Sequence, residues 1–551
     1  MFVREKRIGP YTYIYLVETV REDGHVKQRI IRNLGRKEEV ERRGDLDRLV
    51  LSAARLAQRS MVLSLLEQGT LPDLACHRIG PPLIFERLWR DTQCGAVLTE
   101  LLAERDFDFP LERAVFLTAL HRLMVAGSDR ACEQWRIDYR IAGAEGVHLH
   151  HLYRAMAWLG EELPLAEQDG RTLAPRCMKD LVEERLFARR RDLFADLSVV
   201  FMDTTSLYFE GEGGETLGEC GHSKDYRPQL NQMIVAVIID QNGRPVCSEM
   251  WPGNTADVTT LVPVVDRLRR RFGIGRVCVV ADRGMISAAT IAALEERGLE
   301  YILGVRERSS KEVRDIVLAD PLPSVPLTVP HKGRPDTDLQ AKEVMHQDRR
   351  YIVCRNLVEA AQAARTREAV VASLRAKLKA GDKALVGNSA YRRYLKTPQA
   401  QHFCIDEDRI ADDARYDGLY VLRTNTRLPP LNVMLRYHDL LVVEQMFRTE
   451  KALLETRPIY HQSDAAIRGH VFCSFLALVL HKELQDRLAA AHLQPEWRAL
   501  LADLDRLQEI ETEQDGKCFI LRTPVTGVAG KVFQAVGVAL PPQIRDAKSA
   551  G

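Results

Sequence analysis

Three acidic residues, one of which lies between two side chains able to bind phosphate, are the groups in this sequence most able to do chemistry. Near the end of the chain, Tyr437, Leu440, Glu444 and Lys451 follow one another at offsets of three, four and seven residues. On an α-helix these offsets fall on one face. A carboxylate between a tyrosine and a lysine suggests a metal ion at Glu444, with phosphates held by Tyr437 and Lys451 on either side.

Two upstream aspartates supply the partners that such a metal needs. Asp203 follows the apolar run LSVVFM and Asp282 follows VCVVA, so each stands at or near the end of a predicted strand. Carboxylates on neighbouring strands repel each other unless a cation lies between them. With Glu444 they form a set of hard oxygen ligands, which suits Mg²⁺ or Mn²⁺. Two such ions per site can activate a water or a 3′-hydroxyl for in-line attack on a phosphodiester.

Each acid, taken alone, also has an ordinary structural interpretation. Asp203 could end a strand, and Asp282 could cap the start of a helix. Glu444 could form an i,i+4 pair with Arg448. The three acids are 79 (282 minus 203) and 162 (444 minus 282) residues apart, so only the fold can bring them together.

Composition excludes several protein classes and leaves a soluble, multi-domain protein. The chain has 551 residues, of which 46% are hydrophobic and 28% charged, and its formal net charge is +1. Any nucleic-acid binding must therefore come from local basic patches. The eleven cysteines contain no C-x-x-C pair, which argues against a zinc ribbon. Because no signal peptide or membrane span is evident, we expect a cytoplasmic protein without membrane contact, associated with the nucleoid when bound to DNA.

The predicted elements divide the chain into six parts. The expected parts are a basic β-hairpin at 1–38, a helical DNA-end-binding region at 39–195, a first core part at 196–305, an insertion of strands and helices at 306–425, a second core part with the Glu444 helix at 426–485, and a helical tail at 486–551. The first core part reads as three antiparallel strands, then helix, strand, helix and strand, which is a mixed α/β order.

Two basic segments are candidates for contact with DNA. The hairpin segment, residues 1 to 37, contains nine Lys or Arg and four Asp or Glu, so it could lie against a phosphate backbone or simply be solvated. The helix near 258–272 ends in four arginines, at positions 267, 269, 270 and 271. Those arginines could bind DNA, but basic residues also suit the end of a helix.

In the order of these motifs the sequence resembles the insertion-sequence transposases of the DDE class, which have a ribonuclease H-like catalytic fold. The nearer resemblance is to insertion sequence family four, whose third acid lies in a Tyr-x2-Arg-x3-Glu-x6-Lys signature. Further matching segments are FMDTTSLYFEG, GHSKDYRPQLNQ, WPGNTADVTT, VVADRGM, DGLYVLRTN and RPIYH. Leu440 replaces the signature arginine, which removes a bidentate phosphate contact that Arg448 or Arg436 could supply instead.

The resemblance implies a fold, an activity and a set of site residues. It implies that Asp203, Asp282 and Glu444 bind two metal ions, and that Tyr437 and Lys451 contact phosphates near the cleaved transposon end. The expected protein is a homodimer that binds terminal inverted repeats in double-stranded DNA, cleaves them and joins the 3′-hydroxyl to target DNA. Three alternatives stay open: a structure-specific nuclease of the same fold, a catalytically decayed DNA-binding copy, and a phosphohydrolase of small molecules.

Overall fold

The computed structural model of this protein describes most, but not all, of the chain. The described residues are 1–22, 25–54, 74–125, 127–168, 174–190, 199–221, 227, 229–273, 278–282, 287–305, 311, 313–319, 323–329, 337–346, 349–379, 393–396, 403–440, 459–514 and 517–546. Asp203 is described by its backbone position alone. Glu444, Arg448 and Lys451 lie outside the described residues.

The described residues form a mixture of strands and helices. The strands are β1 (Phe2–Ile8), β2 (Tyr11–Glu22), β3 (His25–Arg36), β4 (Leu74–Arg78), β5 (Val199–Tyr208), β6 (Gln232–Asp240), β7 (Pro245–Pro252), β8 (Cys278–Ala281), β9 (Glu300–Gly304), β10 (Val325–Val329), β11 (Thr337–His346), β12 (Arg349–Asn356), β13 (Leu395–Lys396), β14 (Cys404–Ile405), β15 (Leu419–Thr424), β16 (Gln508–Gln514), β17 (Lys517–Arg522) and β18 (Ile544–Asp546). The α-helices are α1 (Lys37–Arg43), α2 (Asp45–Ala54), α3 (Gly80–Asp91), α4 (Cys94–Leu101), α5 (Leu111–Met124), α6 (Asp129–Trp135), α7 (Leu149–Leu159), α8 (Met178–Arg189), α9 (Asp257–Phe272), α10 (Ala288–Glu296), α11 (Leu357–Lys379), α12 (Glu407–Ala414), α13 (Pro430–His438), α14 (Asp464–Ala490), α15 (Trp497–Asp505) and α16 (Ala529–Val536).

The chain divides into two compact units. The smaller comprises residues 1–75, 510–521 and 544–551, and the larger comprises residues 76–509 and 522–543. In the smaller unit, β1, β2 and β3 form an antiparallel sheet, so a third strand precedes the predicted hairpin. The predicted hairpin turn at Asp23-Gly24 lies outside the described residues.

A nine-stranded mixed sheet forms the centre of the larger unit, in the order β10-β11-β12-β15-β9-β8-β5-β6-β7. β5, β8 and β9 run parallel to one another, whereas β6 and β7 continue from β5 in antiparallel pairs. The segment expected to be an insertion, 306–425, supplies four strands of this same sheet, β10, β11, β12 and β15. The segment therefore extends the sheet beyond β9.

Helices cover both faces of this sheet. Val200, Val279 and Leu303 pack on one face with apolar residues of α9 and α10. Phe201 and Val280, which alternate with them along the strands, belong to the cluster on the other face, together with residues of α5, α7 and α14. The sheet is thus the middle layer of three, which explains why its central strands are apolar throughout.

Helix α14 is the longest helix in that covering layer. It is long and apolar enough to cross a membrane, but 94% of its most apolar window is buried inside the protein. Burial of this kind is what a core helix requires, because apolar side chains along its whole length contact other elements.

The C-terminal tail, predicted to be helical at 486–551, contains strands as well. Helix α15 is present, with Leu500, Leu501 and Leu504 buried as their spacing predicts. After it, β16, β17 and β18 join β4 in a four-stranded sheet. The helical interpretation is therefore wrong for these three strands, although α16 is helical as predicted. The segments QEIETEQ and KCFILR flank an Asp-Gly pair in the sequence, which is a hairpin signal.

Candidate catalytic site

The register of two parallel strands relates the positions of the two aspartates. β5 pairs with β8 through Val199 and Cys278, Val200 and Val279, and Phe201 and Val280. Each pair is 79 positions apart (280 minus 201), which is also the separation of Asp203 and Asp282 (282 minus 203). The described pairing ends at Phe201 and Val280, and β8 ends at Ala281. Continued by two residues, the same register would bring the backbones of the two aspartates to neighbouring positions, about 4.8 Å apart across the sheet. Asp203 lies inside β5, directly after its apolar run, and pairs with Val237 of β6.

A tyrosine of the signature contacts one of these aspartates directly. The Tyr437 hydroxyl donates a hydrogen bond to Asp282 Oδ1 across 3.0 Å. Tyr437 is half-buried near the end of α13, and its ring packs against the apolar cluster on one face of the sheet. The predicted contact of this hydroxyl with a phosphate stays a prediction, and the structure adds its bond to a carboxylate.

Leu440 belongs to the apolar core. Its side chain is 6% exposed and lies in the same cluster as Val433 and Met434 of α13. An arginine at this position would bring a guanidinium into an apolar cluster, which is costly without a partner. The departure from the signature is therefore a packing feature of this chain.

The segment that carries Glu444 is fixed at both ends. Upstream, Leu440 is buried and Tyr437 bonds to Asp282. Downstream, Ile459 forms a parallel bridge with Phe209, which directly follows β5. The Glu210 amide donates to the Ile459 carbonyl across 3.1 Å, which ties this residue to the chain leaving β5. Glu444, Arg448 and Lys451 lie between these anchors, outside the described residues.

Two of the four arginines at the end of α9, Arg267 and Arg271, belong to an internal ion network. Arg271 contacts Glu183 at 2.7 Å, Glu184 at 2.7 Å and Asp180 at 3.1 Å. Burial would lower the pKa of Arg271, but the neighbouring carboxylates outweigh burial and raise the pKa above its usual value. Arg267 is likewise buried and pairs with Glu249. Neither side chain is available to DNA.

A second buried polar cluster was not anticipated from the sequence. Asp129 Oδ2 lies 3.2 Å from His461 Nε2 and 3.8 Å from His470 Nδ1, so the three residues have the geometry of a metal site. However, Arg122 donates to Ser474 across 2.7 Å and lies 2.9 Å from His470 Nδ1. Burial, followed by Arg122, lowers the pKa of His470 to about 4.

That cluster already contains a positive charge. A guanidinium beside Asp129 supplies the charge that a cation would bring, so the cluster is better suited to holding α5, α6 and α14 together. Sequence spacing could not have revealed it, because Asp129 and His461 are 332 residues apart (461 minus 129).

Comparison with known protein families identifies the family to which this chain belongs. A family model described as the transposase DDE domain matches residues 195–480, which is more than half of the chain and contains Asp203, Asp282 and Glu444. The chain belongs to the DDE transposase family. A second family model, the N-terminal domain of IS1634 family transposases, matches residues 2–66. The protein is therefore a DNA transposase of the insertion-sequence type, an enzyme that performs metal-dependent DNA cleavage and strand transfer.

Solved structures similar to this transposase are distant. One is titled as a piggyBac transposase synaptic complex with hairpin DNA, at 10% identity and a TM-score of 0.33, covering 77% of this chain and 79% of that chain. Another is the Mos1 transposase paired-end complex with left transposon end, at 13% identity and a TM-score of 0.14, covering 36% of this chain and 60% of that chain. No curated protein matches the chain.

Proposed function

We propose that Asp203, Asp282 and Glu444 form the metal-binding triad of this transposase. The observation that supports the proposal is the 79-residue offset of the β5–β8 register, which equals the separation of Asp203 and Asp282 in the sequence. Two carboxylates brought close together would repel each other, and a bound cation would compensate their charge. Their oxygens are the donors that Mg²⁺ and Mn²⁺ prefer. Two bound ions would supply an activated water or 3′-hydroxyl and stabilise the leaving oxygen.

The anchors of the 441–458 segment support the inclusion of Glu444. One anchor, Tyr437, touches Asp282, and the other, Ile459, pairs beside the end of β5. A chain held at these two points can bring an acid to both aspartates. Lys451 and Arg448, in the same segment, are proposed to bind phosphates. The strand order β7-β6-β5-β8-β9 supports the ribonuclease H-like fold that the resemblance implies.

Finer features of the reaction belong to the same proposal. The signature of insertion sequence family four, the two-ion stoichiometry, the homodimer on paired ends, and cytoplasmic location with nucleoid association when bound are expectations from the resemblance. The six-part division of the chain is an expectation of the same kind.

The direct test is cleavage of end-containing DNA with Mg²⁺. Asp203→Ala and Asp282→Ala should abolish strand cleavage and leave DNA binding largely intact, because each removes a metal ligand. Glu300→Ala is the matched control: Glu300 starts β9, and its partner on β8 is Cys278, at the strand end away from Asp282. Retained cleavage in Asp203→Ala would overturn the triad. Loss of cleavage in Glu300→Ala would show that removing any acid from this sheet abolishes activity, so that the effect is not specific to the aspartates.

Tyr437→Phe tests whether this tyrosine orients Asp282. Loss of the hydroxyl should weaken Mn²⁺ binding about 10-fold to 100-fold, as removal of a hydrogen-bond partner of a metal ligand commonly does. Calorimetric titration with Mn²⁺ in the absence of DNA measures this effect separately from activity. If Mn²⁺ affinity is unchanged and only DNA affinity falls, the hydroxyl acts on phosphate alone.

A further inference from the structure

The N-terminal three-stranded sheet has two chemically different faces. Successive strand residues alternate between faces, and paired residues of neighbouring strands share a face. The register pairs Arg4 with Tyr15, Lys6 with Tyr13, Ile8 with Tyr11, and Tyr13 with Arg36. We call the surface formed by Arg4, Lys6, Tyr11, Tyr13, Tyr15 and Arg36 the tyrosine face.

Side-chain contacts confirm that these residues share one surface. Arg36 Nε donates to the Tyr13 hydroxyl across 3.3 Å. The Arg36 guanidinium also lies 3.9 Å from the centre of the Tyr11 ring. Arg4 donates to Gln28 of β3, which reaches it across the sheet. Tyr11 and Tyr13 therefore hold the Arg36 guanidinium on this surface.

The acidic side chains described in these strands lie on the opposite face. Glu5 and Glu18 alternate with the residues of the tyrosine face, and each has a basic partner. Lys37 Nζ lies 2.6 Å from Glu5 Oε1, and Arg29 bonds to Glu18. The positive charge of the tyrosine face is thus not neutralised from within its own strands.

Helix α1 covers part of the opposite face. Val40 of α1 is 4% exposed and Ile14 of β2 is 3% exposed. Gly35 has a φ of +119°, and a Cβ there would lie 3.2 Å from Val40 Cγ2, so helix and strand meet closely. Arg4, Lys6, Tyr11 and Arg36 are exposed on the other side.

We propose that the tyrosine face binds the phosphate backbone of duplex DNA. The inference rests on the transposase function and names the surface through which the N-terminal unit would hold DNA. Lysine and arginine side chains on a ribbon without described facing acids can pair with the phosphates of a duplex, and tyrosine hydroxyls can donate to phosphate oxygens. A basic surface of this kind gives binding that weakens steeply with salt.

Two double variants of the full chain with equal charge change test the proposal. Arg4→Ala/Lys6→Ala removes two cations from the tyrosine face. Arg7→Ala/Arg32→Ala removes two from the opposite face, since Arg7 alternates with Lys6 and Arg32 pairs with Leu16. The probe is a fluorescent mixed-sequence duplex of about three helical turns, roughly 30 base pairs. Fluorescence anisotropy across a salt series gives affinity and salt dependence.

The two variants should differ clearly. Arg4→Ala/Lys6→Ala should weaken binding at least about tenfold and reduce the slope of log affinity against log salt by about 1.8, which is about 0.9 for each lost phosphate contact. Arg7→Ala/Arg32→Ala should leave the slope unchanged. Equal losses in both variants would overturn the assignment of the face, because general charge attraction would then explain the binding.

Other outcomes separate this inference from the proposed function. If Arg4→Ala/Lys6→Ala changes the molar mass in light scattering but not DNA affinity, the face binds a second copy and the proposal is wrong. If Arg4→Ala/Lys6→Ala weakens DNA binding as expected, but the unaltered chain does not cleave end-containing DNA with Mg²⁺, the DNA-binding face is supported and the metal-binding triad is wrong.

Discussion

The arginines at the end of α9 and those of the N-terminal sheet lie in opposite electrostatic surroundings. Arg271 is buried and touches Asp180, Glu183 and Glu184. Arg4 is exposed on a surface where the neighbouring strands contribute no described acid. The same guanidinium chemistry is used for internal packing in the first region and is presented to solvent in the second.

The difference shows that partners, and not the number of positive charges, decide what a basic segment does. A buried guanidinium must be matched by carboxylates because an uncompensated charge in the interior is too costly. An exposed one needs no such match and stays available to an anionic ligand. Variants in the two regions should therefore change different measured quantities.

The largest effect is expected from the buried region. Arg271→Ala should lower the free energy of unfolding by about 3 to 5 kcal/mol, because it leaves several buried carboxylates without their counter-charge. Urea unfolding followed by circular dichroism measures the change. The matched control is Arg270→Ala, one residue earlier and exposed, which should cost no more than about 0.5 kcal/mol. Similar losses in both variants would remove the distinction between buried and exposed arginines.

Acid should lower the free energy of unfolding through the buried histidines, while the arginines and lysines of the N-terminal sheet keep their charge. Burial lowers the pKa of His121, His470 and His481 from 6.5 to about 4 in each case. A lowered folded-state pKa gives stability that is complete above about pH 6.5 and is lost as pH falls towards 4. Each histidine then contributes up to about 1.4 kcal/mol per pH unit. Arginine and lysine remain protonated throughout this range.

His481→Gln isolates one of these contributions. His481 is buried against Trp497, with ring centres 4.3 Å apart. Because glutamine does not titrate, the free energy of unfolding should fall less steeply between pH 6.5 and 5 in this variant. The slope should decrease by up to about 1.4 kcal/mol per pH unit. Urea unfolding of both proteins at pH 7.5, 6.5, 5.5 and 5.0 checks it. Parallel curves would mean that His481 does not titrate in this window.

The smallest change in stability is expected from the sheet. Arg4→Ala/Lys6→Ala should alter the free energy of unfolding by less than about 0.5 kcal/mol, because both side chains are exposed. The same urea unfolding experiment measures it. A loss greater than about 1 kcal/mol would indicate that these residues stabilise the fold, and the contrast with Arg271 would then fail.

The sequence predicted the elements around the aspartates well, because apolar runs of β-branched residues and helical periodicity are local signals. Strands β5 and β8 and helices α5 and α9 lie where those signals placed them. The resemblance to DDE transposases is confirmed by the family that matches residues 195–480. Local patterns could also supply the candidate acids, since each follows or interrupts an apolar run.

Contacts between distant residues could not be obtained in this way. The bond from Tyr437 to Asp282 spans 155 positions (437 minus 282), and the pairing of Ile459 with Phe209 spans 250 (459 minus 209). Periodicity likewise says nothing of whether Arg271 meets acids, because Asp180 and Glu183 come from a different helix. The strand β1 was missed because FVREKRI lacks the regular apolar alternation of a half-buried strand.

Strands β5 and β8, which lead to Asp203 and Asp282, are held together by hydrogen bonding between adjacent strands, and not by the path of the chain that joins them. The excursion through β6, β7 and α9 could lengthen or shorten at its loops without separating these two strands. Insertions between these acids should therefore be tolerated in evolution far more readily than a single-residue slip in either strand.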